Sequence, residues 1–121
     1  MRDPRHELGQ RGEALAAQRL VDAGFEILAR NLDLAVGEID LVASDGHVVA
    51  FVEVKTRARH AQLLASTLRA GQRRKIELAA AAFVATRRLD HVPCRFDAML
   101  VDLSVEPAAI EWIQGAWELG G

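Results

Sequence analysis

Residues Val36–Arg57 read V-G-E-I-D-L-V-A-S-D-G-H-V-V-A-F-V-E-V-K-T-R, and the fold is decided there. Two apolar runs flank Asp45-Gly46, a dipeptide that favours the tight type I′ turn because both residues accept positive φ. The stretch reads as a β-hairpin with strands at 36–43 and 48–55. A two-residue Asp45-Gly46 loop sets Ser44 opposite His47, Val42 opposite Val49, Asp40 opposite Phe51 and Glu38 opposite Glu53. Side chains alternate between faces along a strand. Glu38, Asp40, Glu53 and Lys55 therefore share one face. Ile39, Leu41, Ala50, Val52 and Val54 share the other, which is apolar.

A face with three carboxylates and one ammonium needs explaining, because like charges across a strand pair repel. A divalent cation would supply the counter-charge, and Mg²⁺ takes carboxylate and water oxygens. The plainer alternative is a solvated strand face whose charges only keep the protein soluble.

Working outward, residues 1–10 read as a flexible lead-in and about 10–23 as an Ala- and Leu-rich helix. Gly24 ends it as a left-handed cap. Glu13, Ala16, Ala17 and Leu20 fall on one helical stripe, headed by a carboxylate near the positive end of the helix dipole. Residues 25–31 read as a strand, with Asn31 at its end as a turn residue leading into a short loop. A second helix runs from about Leu68 or Gln72 to Arg88, burying Ile76, Ala79, Ala80 and Phe83. Strands follow at 94–103 and 109–113, with Trp112 and Trp117 as core or edge cover. The order α-β-β-β-α-β-β suits one α/β domain built on a central mixed sheet flanked by helices.

The 121 residues suffice for one domain with a modest core, and half are hydrophobic. The net charge of −2 excludes a wholesale basic nucleic-acid binder, so such binding requires a local patch. One is present. Lys55, Arg57, Arg59, Arg69, Arg73, Arg74 and Lys75 occur between 55 and 75 with no Asp or Glu among them. Cationic side chains in the first turns of the second helix oppose its dipole, a cost that a phosphate would relieve. The alternative is a solvated loop and helix start. The single cysteine, Cys94, excludes an intrachain disulfide. The amino terminus lacks a signal-peptide core, and no run approaches the ~18 apolar residues of a membrane span. A cytoplasmic location without membrane attachment is the expectation.

An acidic residue followed by a strand carrying E-x-K on one face resembles the core of the PD-(D/E)xK nuclease superfamily. Asp40 and then Glu53-Val54-Lys55 are similar to its Holliday-junction-resolvase-like branch. G-E at 12–13, N at 31, G-E-I-D-L-V at 37–42, F-V-E-V-K-T-R at 51–57 and R-F-D at 95–97 together resemble the YraN family of uncharacterised bacterial proteins, the UPF0102 type. The likeness implies a restriction-endonuclease-like fold. It implies Asp40, Glu53, Lys55 and Glu13 as catalytic residues, with Mg²⁺ or Mn²⁺ on Asp40 and Glu53 and Glu38 bearing on the same ion. Arg57, Arg59, Arg69, Gln72, Arg73, Arg74 and Lys75 are the expected nucleic-acid contacts. The family carries a lysine just before Gln72, where this chain has Gly71.

The expected function is a metal-dependent nuclease acting on structured or damaged DNA, and the resolvase-like likeness suggests a homodimer. Two competing readings are a nucleic-acid-binding module without cleavage and a protein-interaction subunit. Arg95 and Asp97 match the family but read as a structural pair.

Overall fold

A computed structural model describes residues 4–57 and 70–119, in the order α1 (Pro4–Asp22), β1 (Glu26–Leu34), β2 (Gly37–Ser44), β3 (Val49–Arg57), α2 (Ala70–Arg87), β4 (Cys94–Asp102) and β5 (Ala109–Trp117). The sheet order is β1-β2-β3-β4-β5. All neighbours are antiparallel except β3 and β4, which run parallel. A parallel pair needs a crossover, and α2 lies within it. One helix covers each face. Ala16, Ala17 and Leu20 of α1 pack with Leu41, Ala50, Val52 and Met99. Ile76, Ala79, Ala80 and Phe83 of α2 pack with Val42, Phe51, Phe96 and Trp117. This is the α/β, restriction-endonuclease-like arrangement that the sequence predicts. Among the described residues no helix is long and apolar enough to cross a membrane.

Helix α1 starts at Pro4 rather than near Gln10. Pro suits a first helical position, and Glu7 favours the positive end of the dipole. Gly9 and Gly12 lower the local propensity, which hides this first part of the helix. Its end is as expected. Gly24 takes φ 93, the Phe25 N–H reaches Leu20 O at 3.0 Å, and the Gly24 N–H reaches Val21 O at 3.0 Å. This is the paired-bond C-cap of a left-handed glycine.

The β2–β3 register differs from expectation by two residues. Ser44 faces Val49, Val42 faces Phe51 and Leu41 faces Val52. The loop is residues 45–48. The Asp45 carboxylate accepts the His47 N–H at 2.8 Å and the Val48 N–H at 3.0 Å. Only Gly46 of the Asp45-Gly46 pair has positive φ, so the turn is not type I′. An even shift leaves the faces of Leu41, Ala43, Ala50, Val52 and Val54 as expected, because the strand period is two. Ile39 is the exception and packs on the α2 side with Val42.

Strand β1 continues through Asn31, at φ 48, to Leu34. Strand β5 extends to Trp117, beyond the expected Ile113. Asp97, fully buried, fixes β4 to β5. It accepts Arg95 Nε at 2.9 Å, Trp112 Nε1 at 2.9 Å and the Gly115 N–H at 3.0 Å. Arg95 and Asp97 are thus the structural pair expected. Trp117 stacks on Phe96 with ring centroids 5.2 Å apart. The loop expected at 58–67 lies outside the described residues.

Candidate active site

Asp40 comes from β2 and Glu53 from the central strand β3, six of whose nine residues are buried. The recorded β2–β3 pairing ends at Leu41 and Val52. Beyond it the Asp40 carboxylate accepts the Val54 N–H at 2.8 Å, so a side chain replaces a strand carbonyl as acceptor. Glu53 is 9% exposed. Its Oε1 lies 3.2 Å from Gln72 Nε2, which donates to it, and 3.6 Å from Lys55 Nζ.

Two carboxylates in this setting cannot both ionise without help. Burial is the main cause raising the pKa of each. Glu53 is pushed up to about 8, with the Asp40 charge adding to the effect of burial and Lys55 opposing it. The Val54 N–H, the hydrogen bond from Glu53 and the Lys55 charge all favour the ionised form of Asp40. These causes favour the protonated form of Glu53 beside an Asp40 that is more readily ionised.

The pair opens onto a hollow of about 440 Å³, lined also by Glu38, Gly37, Gln72 and Lys75. Close approach of α2 to β2 makes this hollow. A Cβ added at Gly37 would stand 2.5 Å from Lys75 O, so only glycine lets the first turns of α2 settle there. Gly12 does the same for α1, because a Cβ there would collide with the Thr56 side chain. That contact brings Glu13 into a second hollow, beside Lys55, Thr56 and Arg57.

The sequence-predicted residues thus separate. Asp40, Glu53, Lys55 and Gln72 form one connected group. Glu38 and Lys75 line the first hollow, and Glu13 and Arg57 line the second. Among the described residues no three His, Cys, Asp or Glu side chains stand together as a metal-holding group. Of the three carboxylates expected to converge, Asp40 and Glu53 interact most closely, and Glu38 lines the same hollow, where its charge helps push the Asp40 pKa up. The two-residue register shift moves Glu38 away from its expected place opposite Glu53. Arg73 turns aside, its guanidinium 5.8 Å from the Trp117 ring centroid. Arg74 is exposed and 3.9 Å from Glu77. Arg59 and Arg69 lie outside the described residues.

Sequence reasoning missed Gly12 and Gly37 as the residues that seat the helices. Their place beside Glu13 and Glu38 in two G-E pairs is the only signal the sequence offers. It also placed Gln72 among the nucleic-acid contacts without anticipating that its amide donates to Glu53.

Comparison with known proteins agrees with the motif. Residues 12–101 match the family model described as "Uncharacterised protein family UPF0102". The chain is 37% identical over 113 residues to a UPF0102 protein of Dehalococcoides mccartyi, covering 93% of each chain. It is 41% identical over 113 residues to a UPF0102 protein of Methylobacillus flagellatus, covering 92% of this chain and 96% of the relative. A UPF0102 protein of Neisseria meningitidis serogroup B is 38% identical over 110 residues, with 90% and 93% covered. Motif, family match and end-to-end similarity agree, and the chain belongs to the UPF0102 family.

Proposed function

We propose that the protein is a metal-dependent, nuclease-like nucleic-acid-binding protein that acts on structured or damaged DNA. One observation carries the reading: Asp40, bonded to the Val54 N–H, and Glu53, held by Gln72 and Lys55, line one open hollow. Buried carboxylates that hold a proton above its ordinary affinity suit a site where a cation takes the proton's place.

The donor set fits Mg²⁺ or Mn²⁺. Both are hard ions that favour carboxylate oxygen, and Mg²⁺ is commonly held by one or two carboxylates together with waters and substrate phosphates. Asp40 and Glu53 would hold the ion, with Glu38 at the rim acting through water. When bound, such an ion polarises a phosphoryl oxygen and acidifies a bound water. The chain's own residues do the rest. Gln72 and Lys55 both engage Oε1 of Glu53 and fix the rotation of its carboxylate. The Lys55 ammonium orients the attacking water and offsets charge that develops on the phosphate. Glu13 lines the adjoining hollow together with the same lysine. Lys75 and Arg57 flank the two hollows as contacts for the nucleic-acid backbone, independent of sequence.

The test is one panel of single strand, duplex, flap, four-way junction and structured RNA, with Mg²⁺, Mn²⁺ or EDTA. Wild type and Glu53→Ala are run side by side. The proposal expects metal-dependent products from wild type alone, strongest on branched DNA. Binding without products would replace it with a non-cleaving module. Neither binding nor products would leave the protein-interaction reading.

A further inference from the structure

We infer that Asn31 is a positioning residue for Asp40 and that it acts through its backbone conformation, not through its side chain. The inference deepens the metal-site reading and rests on it for its functional meaning.

Asn31 is one of two non-glycine residues with positive φ among those described, and it lies inside a strand. Strand pairs Arg30–Leu41 and Leu32–Ile39 bracket it, so its partner position on β2 is Asp40. The alternation of faces slips at this place on both strands. Leu28 and Ala29 both pack on the α2 side, at a register shift between Ile27 and Ala29. Beyond it Ala29 and Leu32, three residues apart across Asn31, also share that side. Val42 and Ile39 are likewise three apart and join the same layer. In a regular strand such residues point to opposite faces. The slip on β1 falls at the left-handed residue, and the slip on β2 falls at Asp40.

The β2–β3 pairing also stops at this point, and the Asp40 carboxylate takes over the Val54 N–H. The Asn31 side chain is exposed and makes no hydrogen bond among the described residues. Its useful property is therefore its tolerance of left-handed backbone, which asparagine shares with glycine and alanine lacks. A kink at Asn31 turns β2 so that Asp40 meets β3 with its carboxylate.

Amide hydrogen exchange of Val54, referred to Val52 on the same strand, reads this directly. Asp40→Ala gives the value for a lost contact. Asn31→Gly should keep the wild-type ratio. Asn31→Ala should raise relative exchange at Val54 about tenfold, toward the Asp40→Ala value. If Asn31→Ala does not fold, Asn31→Ser carries the same left-handed penalty and replaces it. An unchanged ratio in the alanine or serine variant would overturn the inference. Equal loss in the glycine variant would also overturn it, because the side chain would then matter.

Mn²⁺ titration of the same proteins separates the two claims. Affinity should fall in Asn31→Ala and persist in Asn31→Gly. Should wild type bind no Mn²⁺ while the Val54 ratios behave as expected, the positioning role stands and the metal reading fails.

Discussion

Gln72 Nε2 donates to Glu53 Oε1 across 3.2 Å, so the first turns of α2 hold a carboxylate that belongs to β3. The contact joins the two halves of the site. Lys75 lines the hollow only if α2 is seated, and Gln72 makes the seating and the orientation of Glu53 one event.

Gln72→Ala should therefore act on metal binding more than on stability. Groups that orient a metal ligand typically contribute 10- to 100-fold in affinity. A part-buried hydrogen bond contributes only about 1 kcal/mol to folding. Calorimetric titration with Mn²⁺, alongside urea denaturation in EDTA, checks both expectations. Unchanged affinity would remove Gln72 from the site.

The protonation of Glu53 sets the pH dependence of the metal-free protein. Its pKa rises from 4.5 to about 8, so the folded state holds a proton that the unfolded chain releases. This stabilisation is full below about pH 4.5 and is lost as pH rises toward 8. Asp40 is shifted in the same direction. At 1.36 kcal/mol per unit the effect is on the order of 5 kcal/mol as an upper bound. Denaturation in EDTA at pH 6 and pH 9 should show lower stability at the higher pH, with Glu53→Gln nearly flat. Mn²⁺ affinity should rise over the same interval, because the proton must leave.

Two glycines invite opposite outcomes. Gly37→Ala meets the Lys75 carbonyl and should cost about 1–3 kcal/mol, since backbone must move to admit the methyl. Gly71 has open space around it. Gly71→Lys restores the lysine of the family pattern and should stabilise α2 by up to about 1 kcal/mol. It should also raise affinity for DNA at low salt. Thermal melts and a binding titration on each variant check these signs.

The cationic residues also divide. Lys75→Glu should weaken DNA binding and lower the salt slope by about one. Arg73→Ala should leave affinity unchanged and lower the melting temperature instead, because its guanidinium packs on Trp117. Fluorescence anisotropy across a salt series separates the two variants.

The chemistry of the site was legible because strand alternation is robust. A register error of two residues moved every β2–β3 partner and left Glu53 and Lys55 together on one face of β3. The helix stripes were legible for the same kind of reason, since Ala16, Ala17 and Leu20 repeat at helical spacing and are buried. Three things were not legible. The Asp45 side chain builds a longer loop than its dipeptide suggests. The left-handed backbone at Asn31 breaks alternation inside a strand, which no pattern of apolar residues announces. The Gly37 contact depends on a helix more than thirty residues away in sequence, so only tertiary structure reveals it.

The most direct test is Mn²⁺ binding by wild type against the Asp40→Asn/Glu53→Gln double variant, measured near pH 8 with calorimetry and thermal melting. The account predicts one ion per wild-type chain, a raised melting temperature with metal, and neither effect in the double variant. It also predicts that the double variant is the more stable protein in EDTA, because two buried acids no longer compete for one proton. Equal metal binding by both proteins, or none by wild type, would contradict the assignment of Asp40 and Glu53 as a metal-holding pair.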